Sequence, residues 1–244
     1  MSVIKTEAIV LRRADYGENA KIIGLLTANG LYDAVVYGCK TAKSTKLSST
    51  EPFSYGEYVL LSRRDSFTVD SFEAKEHFFP IRTDFDRLIH GEYWMDLCAT
   101  AAQPGESTLS LFKMLLYSLT MLAYGEYSPQ ILTTMFLMQF CRVQGYMPQF
   151  ENCRHCGKQL DAPCFFSVSE GWANCSYCEN SGELLNAEEL QLLREAQTEG
   201  AYILSGKKSI SYSPDPQIIS RVNKLLSQHL TYRLEKQFPI MKFL

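Results

Sequence analysis

Two Cys-x-x-Cys motifs constrain this chain more than any other feature. Cys153 and Cys156 form the first motif, Cys175 and Cys178 form the second, and eighteen residues separate them. Each motif places two thiolates on one tight turn. Two such turns facing each other supply four sulfurs in a tetrahedron, which is the usual geometry of a structural zinc site. The spacing therefore predicts one structural Zn²⁺ ion bound by all four cysteines, ahead of disulfides or free thiols.

A site of this kind is expected to stabilise the fold and not to catalyse a reaction. Four protein thiolates complete the coordination of zinc and leave no position for water or a substrate. Two nearby residues are weaker candidate ligands. Cys164 lies in an apolar stretch, which favours a buried thiol. His155 lies inside the first turn, where its side chain is expected to point away from the metal.

The composition is that of a globular protein without a membrane span. The chain has 244 residues, of which 46% are hydrophobic and 21% are charged, which suggests one to three domains. No apolar run is long enough to span a bilayer, and the first residues do not resemble a signal peptide. Eight cysteines in such a chain favour metal binding and reduced thiols in the cytoplasm.

The hydrophobic pattern predicts an α+β multidomain protein. Residues 1–80 read as five short strands with a hairpin at Asn29-Gly30, which fits a small β-barrel, and the OB-fold is the five-stranded case. Residues 81–150 and 183–244 read as an α-helical domain whose helices are apolar on most sides and therefore buried. Residues 151–182 form the zinc-binding insertion between them.

Positive charge is concentrated in the predicted barrel. The net charge of the chain is −3, but residues 1–64 carry nine Lys and Arg against six Asp and Glu, a balance of +3. Such groups can neutralise nucleic-acid phosphates. The candidate DNA-binding residues are Arg12, Arg13, Lys21, Lys40, Lys43, Lys46, Arg63 and Arg64.

Four aromatic residues near these charges could stack on unpaired bases if they are exposed. They are Tyr16, Tyr37, Phe53 and Tyr55. The alternative is that these rings belong to the barrel core and that the charges form a solvated face. Residues 40–50 are expected to be an exposed loop, which is either a basic arm or a linker that contacts nothing.

No enzyme motif is present. The sequence contains no Walker loop, no Gly-x-Gly-x-x-Gly, no Gly-x-Ser-x-Gly and no His-Glu-x-x-His, and the four histidines form no ligand set. His90 and His229 read as ordinary helix residues. Three hypotheses remain: a non-catalytic DNA-binding protein, a scaffold that reaches DNA only through partner proteins, and a zinc-dependent enzyme. The third requires an open zinc position that four cysteines do not leave.

Several short motifs occur in an order typical of one family. The opening segment reads Glu7-Ala-Ile-Val-Leu-Arg12-Arg13-Ala-Asp-Tyr16-Gly-Glu-Asn-Ala-Lys-Ile. It is followed by Leu25-Leu26-Thr27 with Gly30, Tyr37-Gly38, the basic loop, Pro52-Phe53, Gly145-Tyr146-Met147-Pro148 before the first cysteine motif, and Lys242-Phe243-Leu244. In this order, along essentially the full chain, the sequence resembles the RecO family of bacterial recombination and repair proteins.

The resemblance implies an N-terminal OB-fold, a helical domain and a zinc-binding insertion. It also implies binding of single- and double-stranded DNA, annealing of complementary strands, and partnership with RecR. Contact with the acidic C-terminal tail of single-stranded DNA-binding protein, so that RecA can be loaded, is implied as well. The resemblance further implies that the protein has no catalytic activity and that it lies with the nucleoid in the bacterial cytoplasm. The net charge of −3 keeps the scaffold hypothesis open.

Overall fold

The five strands predicted in the N-terminal third are present in a computed structural model, which describes residues 2–41, 44, 46–63, 66–103, 105–210 and 214–243. The strands are β1 (Ser2–Tyr16), β2 (Ala20–Thr27), β3 (Gly30–Tyr37), β4 (Tyr55–Arg63) and β5 (Ser66–Glu76). They form a closed barrel in the order β1-β2-β3-β5-β4, and β4 pairs back on β1. All these pairings are antiparallel except that of β3 with β5.

The barrel core follows from alternation along each strand, because successive side chains point to opposite faces. A β-bulge between Val10 and Arg12 shifts the register of β1 against β2. The buried residues that fill the interior are Ala8, Val10, Ile23, Leu25, Ala34, Val36, Cys39, Tyr58, Leu60 and Val69.

Three helices pack with the barrel in the same compact unit, Met1–Ala123. They are α1 (Phe79–Thr83), α2 (Phe85–Ala101) and α3 (Leu109–Tyr124), whose last residue lies beyond the unit. Thr108, just before α3, binds the predicted β2–β3 hairpin: its hydroxyl donates to the carbonyl of Thr27 over 2.7 Å and accepts from the N–H of Gly30 over 2.9 Å. On α2, a Cβ added to Gly91 would lie 2.8 Å from the Phe53 ring, so this glycine permits close packing.

The second compact unit, Tyr124–Leu244, combines three helices with a small sheet. The helices are α4 (Pro129–Val143), α5 (Ala187–Leu204) and α6 (Pro216–Leu234). The strands β6 (Cys164–Ser167), β7 (Trp172–Cys175) and β8 (Glu183–Leu185) pair in the order β7-β6-β8. The described residues thus confirm a mixed α+β class, and none of their helices is long and apolar enough to cross a membrane.

Local signals explain where these helices begin. Ser128 caps α4 by accepting from the N–H of Ile131. The sequence Asn186-Ala-Glu-Glu189 predicts a capped helix start, and Asn186 and Glu189 form a capping box at the start of α5, with hydrogen bonds of 2.9 and 2.8 Å. The sequence pattern predicts that this helix ends near residue 198. That prediction is wrong, because α5 continues to Leu204 and buries apolar side chains in its last turn.

The packing units differ from the predicted domain division at residues 80, 150 and 182. The helices in residues 81–123 belong to the same unit as the barrel. The division into a barrel domain, a helical domain and an insertion follows sequence patterns and stays a prediction about domain organisation.

Candidate metal centre and nucleic-acid interface

The two cysteine motifs meet and form a four-sulfur cluster. The Sγ atoms of Cys153, Cys156, Cys175 and Cys178 all lie within 4.8 Å of one another, and the Cys156 and Cys175 sulfurs are 4.0 Å apart. Sulfurs that bind one zinc ion tetrahedrally at about 2.3 Å are separated by roughly 3.8 Å. The cluster therefore needs only a small contraction to hold a metal ion, and no disulfide competes for these thiols.

Backbone hydrogen bonds shape the two turns around the cluster. The N–H of Gly157, whose φ is +70°, donates to the carbonyl of Cys153 over 2.9 Å, and the N–H of Cys178 donates to the carbonyl of Cys175 over 3.0 Å. The N–H of Cys175 points at the Cys153 sulfur over 3.4 Å. Burial acts to raise the pKa of the Cys153 thiol, but N–H donors, including those of Cys156 and Cys175, lower it to about 6. The lowered pKa favours the thiolate form of Cys153, whereas hydrogen bonds with the sulfurs of Cys175 and Cys156 raise the pKa of Cys178 to about 12.

The two weaker candidates do not join the cluster. Cys164 is buried on β6 opposite Cys175, and burial raises its pKa to about 11, so it is a neutral core thiol. His155 is exposed, and its Nε2 lies 3.4 Å from a carboxylate oxygen of Glu179.

Side chains of α5 and α6 hydrogen-bond to backbone carbonyls within and just before residues 151–182, and the sequence analysis did not predict these contacts. Arg194 donates to the carbonyls of Phe150 (3.0 Å) and Leu160 (2.6 Å). His229 is fully buried, and its two ring nitrogens lie 2.7 and 2.9 Å from the carbonyls of Val168 and Tyr146. His229 is therefore not an ordinary helix residue. The sequence gives no signal for such contacts, because every residue type supplies a backbone carbonyl.

The eight candidate DNA-binding residues lie in different environments in the structure. Lys43 and Arg64 lie outside the described residues, as does the side chain of Arg63. Among the other five, Arg12 forms a bidentate pair with Asp33 (3.0 and 3.1 Å), and Arg13 pairs with Glu51.

Lys40 is also partly neutralised. Its Nζ lies 3.5 Å from Asp15 and donates to the carbonyl of Gly17 over 2.8 Å. Lys21 and Lys46 are half-buried. Three of the five described residues are thus partly neutralised by neighbouring carboxylates.

The basic loop is less exposed than predicted at its C-terminal end. Residues Ser48–Thr50 form a short 3₁₀ turn, in which Ser49 and Thr50 are buried. The carbonyl of Ser49 accepts a hydrogen bond from the Tyr58 hydroxyl over 3.0 Å. This end of the loop is thus fixed to the barrel.

Two tyrosines lie together on the outer face of β1, β2 and β3. The strand register aligns Tyr16 with Ala20 and Ala20 with Tyr37, so all three side chains occupy one row. Tyr16 is 48% exposed and Tyr37 is 56% exposed, and two strand spacings place them about 10 Å apart. We call these two residues the tyrosine face. By contrast, Phe53 is 2% exposed. Its ring packs against Gly91 of α2 and is not one of the residues that fill the barrel interior.

An ion pair lies beside the tyrosine face. Four residues along each strand from the tyrosine row, Arg12 on β1, Gly24 on β2 and Asp33 on β3 are aligned with one another. A Cβ on Gly24 would lie 2.8 Å from the Arg12 side chain. The arginine therefore crosses over the glycine to reach Asp33.

Comparisons with known proteins identify the family. The model described as "Recombination protein O N terminal" matches residues 1–78, and "Recombination protein O C terminal" matches residues 82–241. The chain belongs to the RecO family. Several similar proteins are named DNA repair protein RecO, and three of them show the degree of likeness. That of Pelotomaculum thermopropionicum is 31% identical over 100% of this chain and 94% of its own length.

The other two relatives show similar likeness. RecO of Acetivibrio thermocellus is 28% identical over 100% of this chain and 97% of its own length. RecO of Clostridium novyi is 29% identical over 86% of this chain and 84% of its own length. The family predicted from the order of short motifs is confirmed, and the two RecO models together cover both the barrel and the cysteine cluster.

Proposed function

We propose that this RecO family member is a non-catalytic recombination mediator in DNA repair. It binds and anneals DNA strands and helps load recombinase onto single-stranded DNA coated with single-stranded DNA-binding protein. Its barrel is of the OB type, whose ligands commonly lie across strands 2 and 3. The observation that carries the proposal is the tyrosine face, Tyr16 and Tyr37, exposed on those strands and their neighbour β1.

In this mechanism the rings and the charges have separate roles. Unpaired bases stack on Tyr16 and Tyr37, a contact that tolerates any sequence because every base has a π-face. Phosphates bind Arg12 and Lys40, and the counterions released there make the affinity depend on salt. Because Asp33 and Asp15 already pair with these cations, the phosphates must displace carboxylates. We therefore expect a modest affinity that decreases as the salt concentration rises.

Asp33→Asn is expected to tighten binding and speed annealing. The substitution frees Arg12 from its carboxylate, and one uncompensated charge near a phosphate is worth about 1 kcal/mol, or roughly fivefold in affinity, at low salt. Stability should change little, since an exposed ion pair contributes at most about 1 kcal/mol. The measurement is the annealing rate of two complementary fluorescent oligonucleotides, with strand affinity measured alongside.

Asp70→Asn is the matched control, because it removes the same charge from an exposed position on β5. It should leave the annealing rate nearly unchanged. Equal acceleration by both variants would mean that net charge, and not the Arg12 pair, controls binding. No annealing by the wild-type chain would count against the proposed function itself.

We further propose that the four-cysteine cluster binds one zinc ion with a structural role. Soft thiolate ligands in a tetrahedral set select zinc over harder divalent ions. The same four ligands leave zinc no open position, so we propose no catalytic role for the metal.

The proposed partners are RecR, the acidic C-terminal tail of single-stranded DNA-binding protein and, indirectly, RecA. Two cavities beside α6 share Glu183 and Gln228 in their linings. One is also lined by Lys224, and the other by Tyr232, Glu235 and Lys236. The two lysines could bind carboxylates of an acidic tail, whereas Glu183 and Glu235 would repel them. The proposed location is with the nucleoid in the bacterial cytoplasm.

A second candidate function is a protein scaffold that reaches DNA only through its partners. The ion pairs of Arg12, Arg13 and Lys40 favour it, because they reduce the charge available to phosphates. In that case the chain alone would not bind a single strand at low salt, yet a partner protein would carry it onto DNA.

A further inference from the structure

Arg154 lies on the first turn of the cysteine cluster, and it forms no ion pair with any acidic side chain among the residues that the structure describes. The guanidinium of Arg154 lies 4.7 Å from the centre of the Trp172 ring. Every other arginine whose side chain the structure describes binds a carboxylate or a backbone carbonyl: Arg12, Arg13, Arg82, Arg87, Arg142, Arg194, Arg221 and Arg233. A guanidinium stacked on a ring keeps its N–H edge available for an oxygen ligand.

A tyrosine on the facing turn is almost completely exposed. Tyr177 lies between Cys175 and Cys178 and is 97% exposed, so its ring contributes little to packing. The two turns are fixed against each other, because the four sulfurs lie within 4.8 Å. Lys158 follows the first turn and is also exposed. An exposed aromatic ring and two cations therefore lie on or next to the two turns that bring the four sulfurs together.

We propose that Arg154, Lys158, Trp172 and Tyr177, which we call the cluster rim, are a second contact for single-stranded nucleic acid. The inference rests on the proposed function, and it adds a strand-binding site in a different unit from the tyrosine face. A base stacks on Tyr177, while Arg154 and Lys158 donate hydrogen bonds to the neighbouring phosphates. Trp172 holds the guanidinium of Arg154 in position.

The local charges decide which interactions dominate at the rim. Four thiolates around one Zn²⁺ leave a net charge of −2, and Glu179 adds a carboxylate that contacts His155 (3.4 Å) and Asn174 (2.7 Å). The rim therefore lacks a strong positive field that attracts DNA from a distance. Stacking and short hydrogen bonds carry the binding, and no more than about two phosphates are neutralised, which gives a salt slope of only about 1.4.

Two strand-binding sites on one chain would account for annealing. A protein with one site brings a single strand out of solution, and the second strand still has to arrive by diffusion. With one strand on the tyrosine face and another on the cluster rim, pairing begins between strands that the same molecule already holds, which raises their effective concentration.

The test is the full-length double variant Arg154→Ala/Tyr177→Ala, with Tyr202→Ala as a control because Tyr202 is an exposed tyrosine on α5. Short single-stranded oligonucleotides are titrated to measure strands bound per chain, and annealing is timed with complementary strands. We expect the strands bound to fall from two to one and the annealing rate to fall about tenfold, since losing one base stack weakens binding roughly 5- to 150-fold. Zinc content and melting temperature should match those of the wild type.

The outcomes separate this inference from the proposed function. A wild-type chain that binds no strand would overturn both. A wild-type chain that binds and anneals strands, with a double variant that does the same at equal rate and stoichiometry, would overturn the cluster rim alone. The cluster rim would also be overturned as a strand-binding site if the double variant still binds two strands but no longer binds a protein partner.

Discussion

Cys156→Ser is expected to abolish metal binding and to destabilise the second unit severely. Three thiolates and a hydroxyl hold zinc far more weakly than four thiolates, and structural zinc binding contributes on the order of 10 kcal/mol to folding. That is comparable to the whole free energy of unfolding of an ordinary domain, about 5–15 kcal/mol. Elemental analysis should find about one zinc per wild-type chain and almost none in the variant, whose melting temperature should fall by about 10 °C or more.

Cys164→Ala is the matched control for this substitution. Cys164 pairs with Cys175 across the sheet and is fully buried, but its sulfur is not part of the cluster. The variant should keep its zinc and lose only about 1–2 kcal/mol, the cost of truncating a small buried side chain. A wild-type chain that contains no metal, or that melts at the same temperature after chelation, would contradict the structural role of the cluster.

Tyr16→Ala/Tyr37→Ala is expected to weaken binding of single-stranded DNA at least about twentyfold. Each base–aromatic stack is worth roughly 1–3 kcal/mol, and this variant removes both rings of the tyrosine face. The slope of log Kd against log salt should hardly change, because no charged group is lost. Fluorescence anisotropy with a labelled oligonucleotide measures both quantities.

The control for the tyrosine face is Tyr117→Ala on α3, where the ring is similarly exposed within the same unit. It should bind single strands like the wild type. All three substitutions should leave the melting temperature nearly unchanged, because the rings are about half exposed. If Tyr117→Ala weakens binding as much as the double variant, bases do not stack specifically on β1 and β3.

The cysteine cluster was predictable because its information is local. Each motif defines its own turn, and one ion can satisfy all four sulfurs, so spacing alone brings Cys153 and Cys175 together. The capping box of Asn186 and Glu189 is local in the same sense, because the helix start needs only residues three apart. At the Asn29-Gly30 hairpin only Gly30 has a positive φ, +126°, a conformation that glycine permits.

The chemistry of the barrel surface was not predictable in this way. Whether Arg12 is free depends on the register that places Gly24 between it and Asp33, and the bulge after Val10 sets that register. Phe53 and Tyr37 look equivalent in the sequence, yet Phe53 is buried against Gly91 of α2. Contacts between residues distant in the chain decide both outcomes. The carbonyl contacts of Arg194 and His229 also join residues distant in the chain, so the sequence did not predict them either.

The most direct test of the central claim is the binding of a labelled single-stranded oligonucleotide to the full chain, followed by anisotropy across a salt series. We predict binding at low salt. If the tyrosine face and its neighbouring cations contact about two to four phosphates, log Kd should rise with log salt with a slope of roughly 1.4–2.8. No binding at the lowest salt, or binding that does not change with salt, would contradict the account.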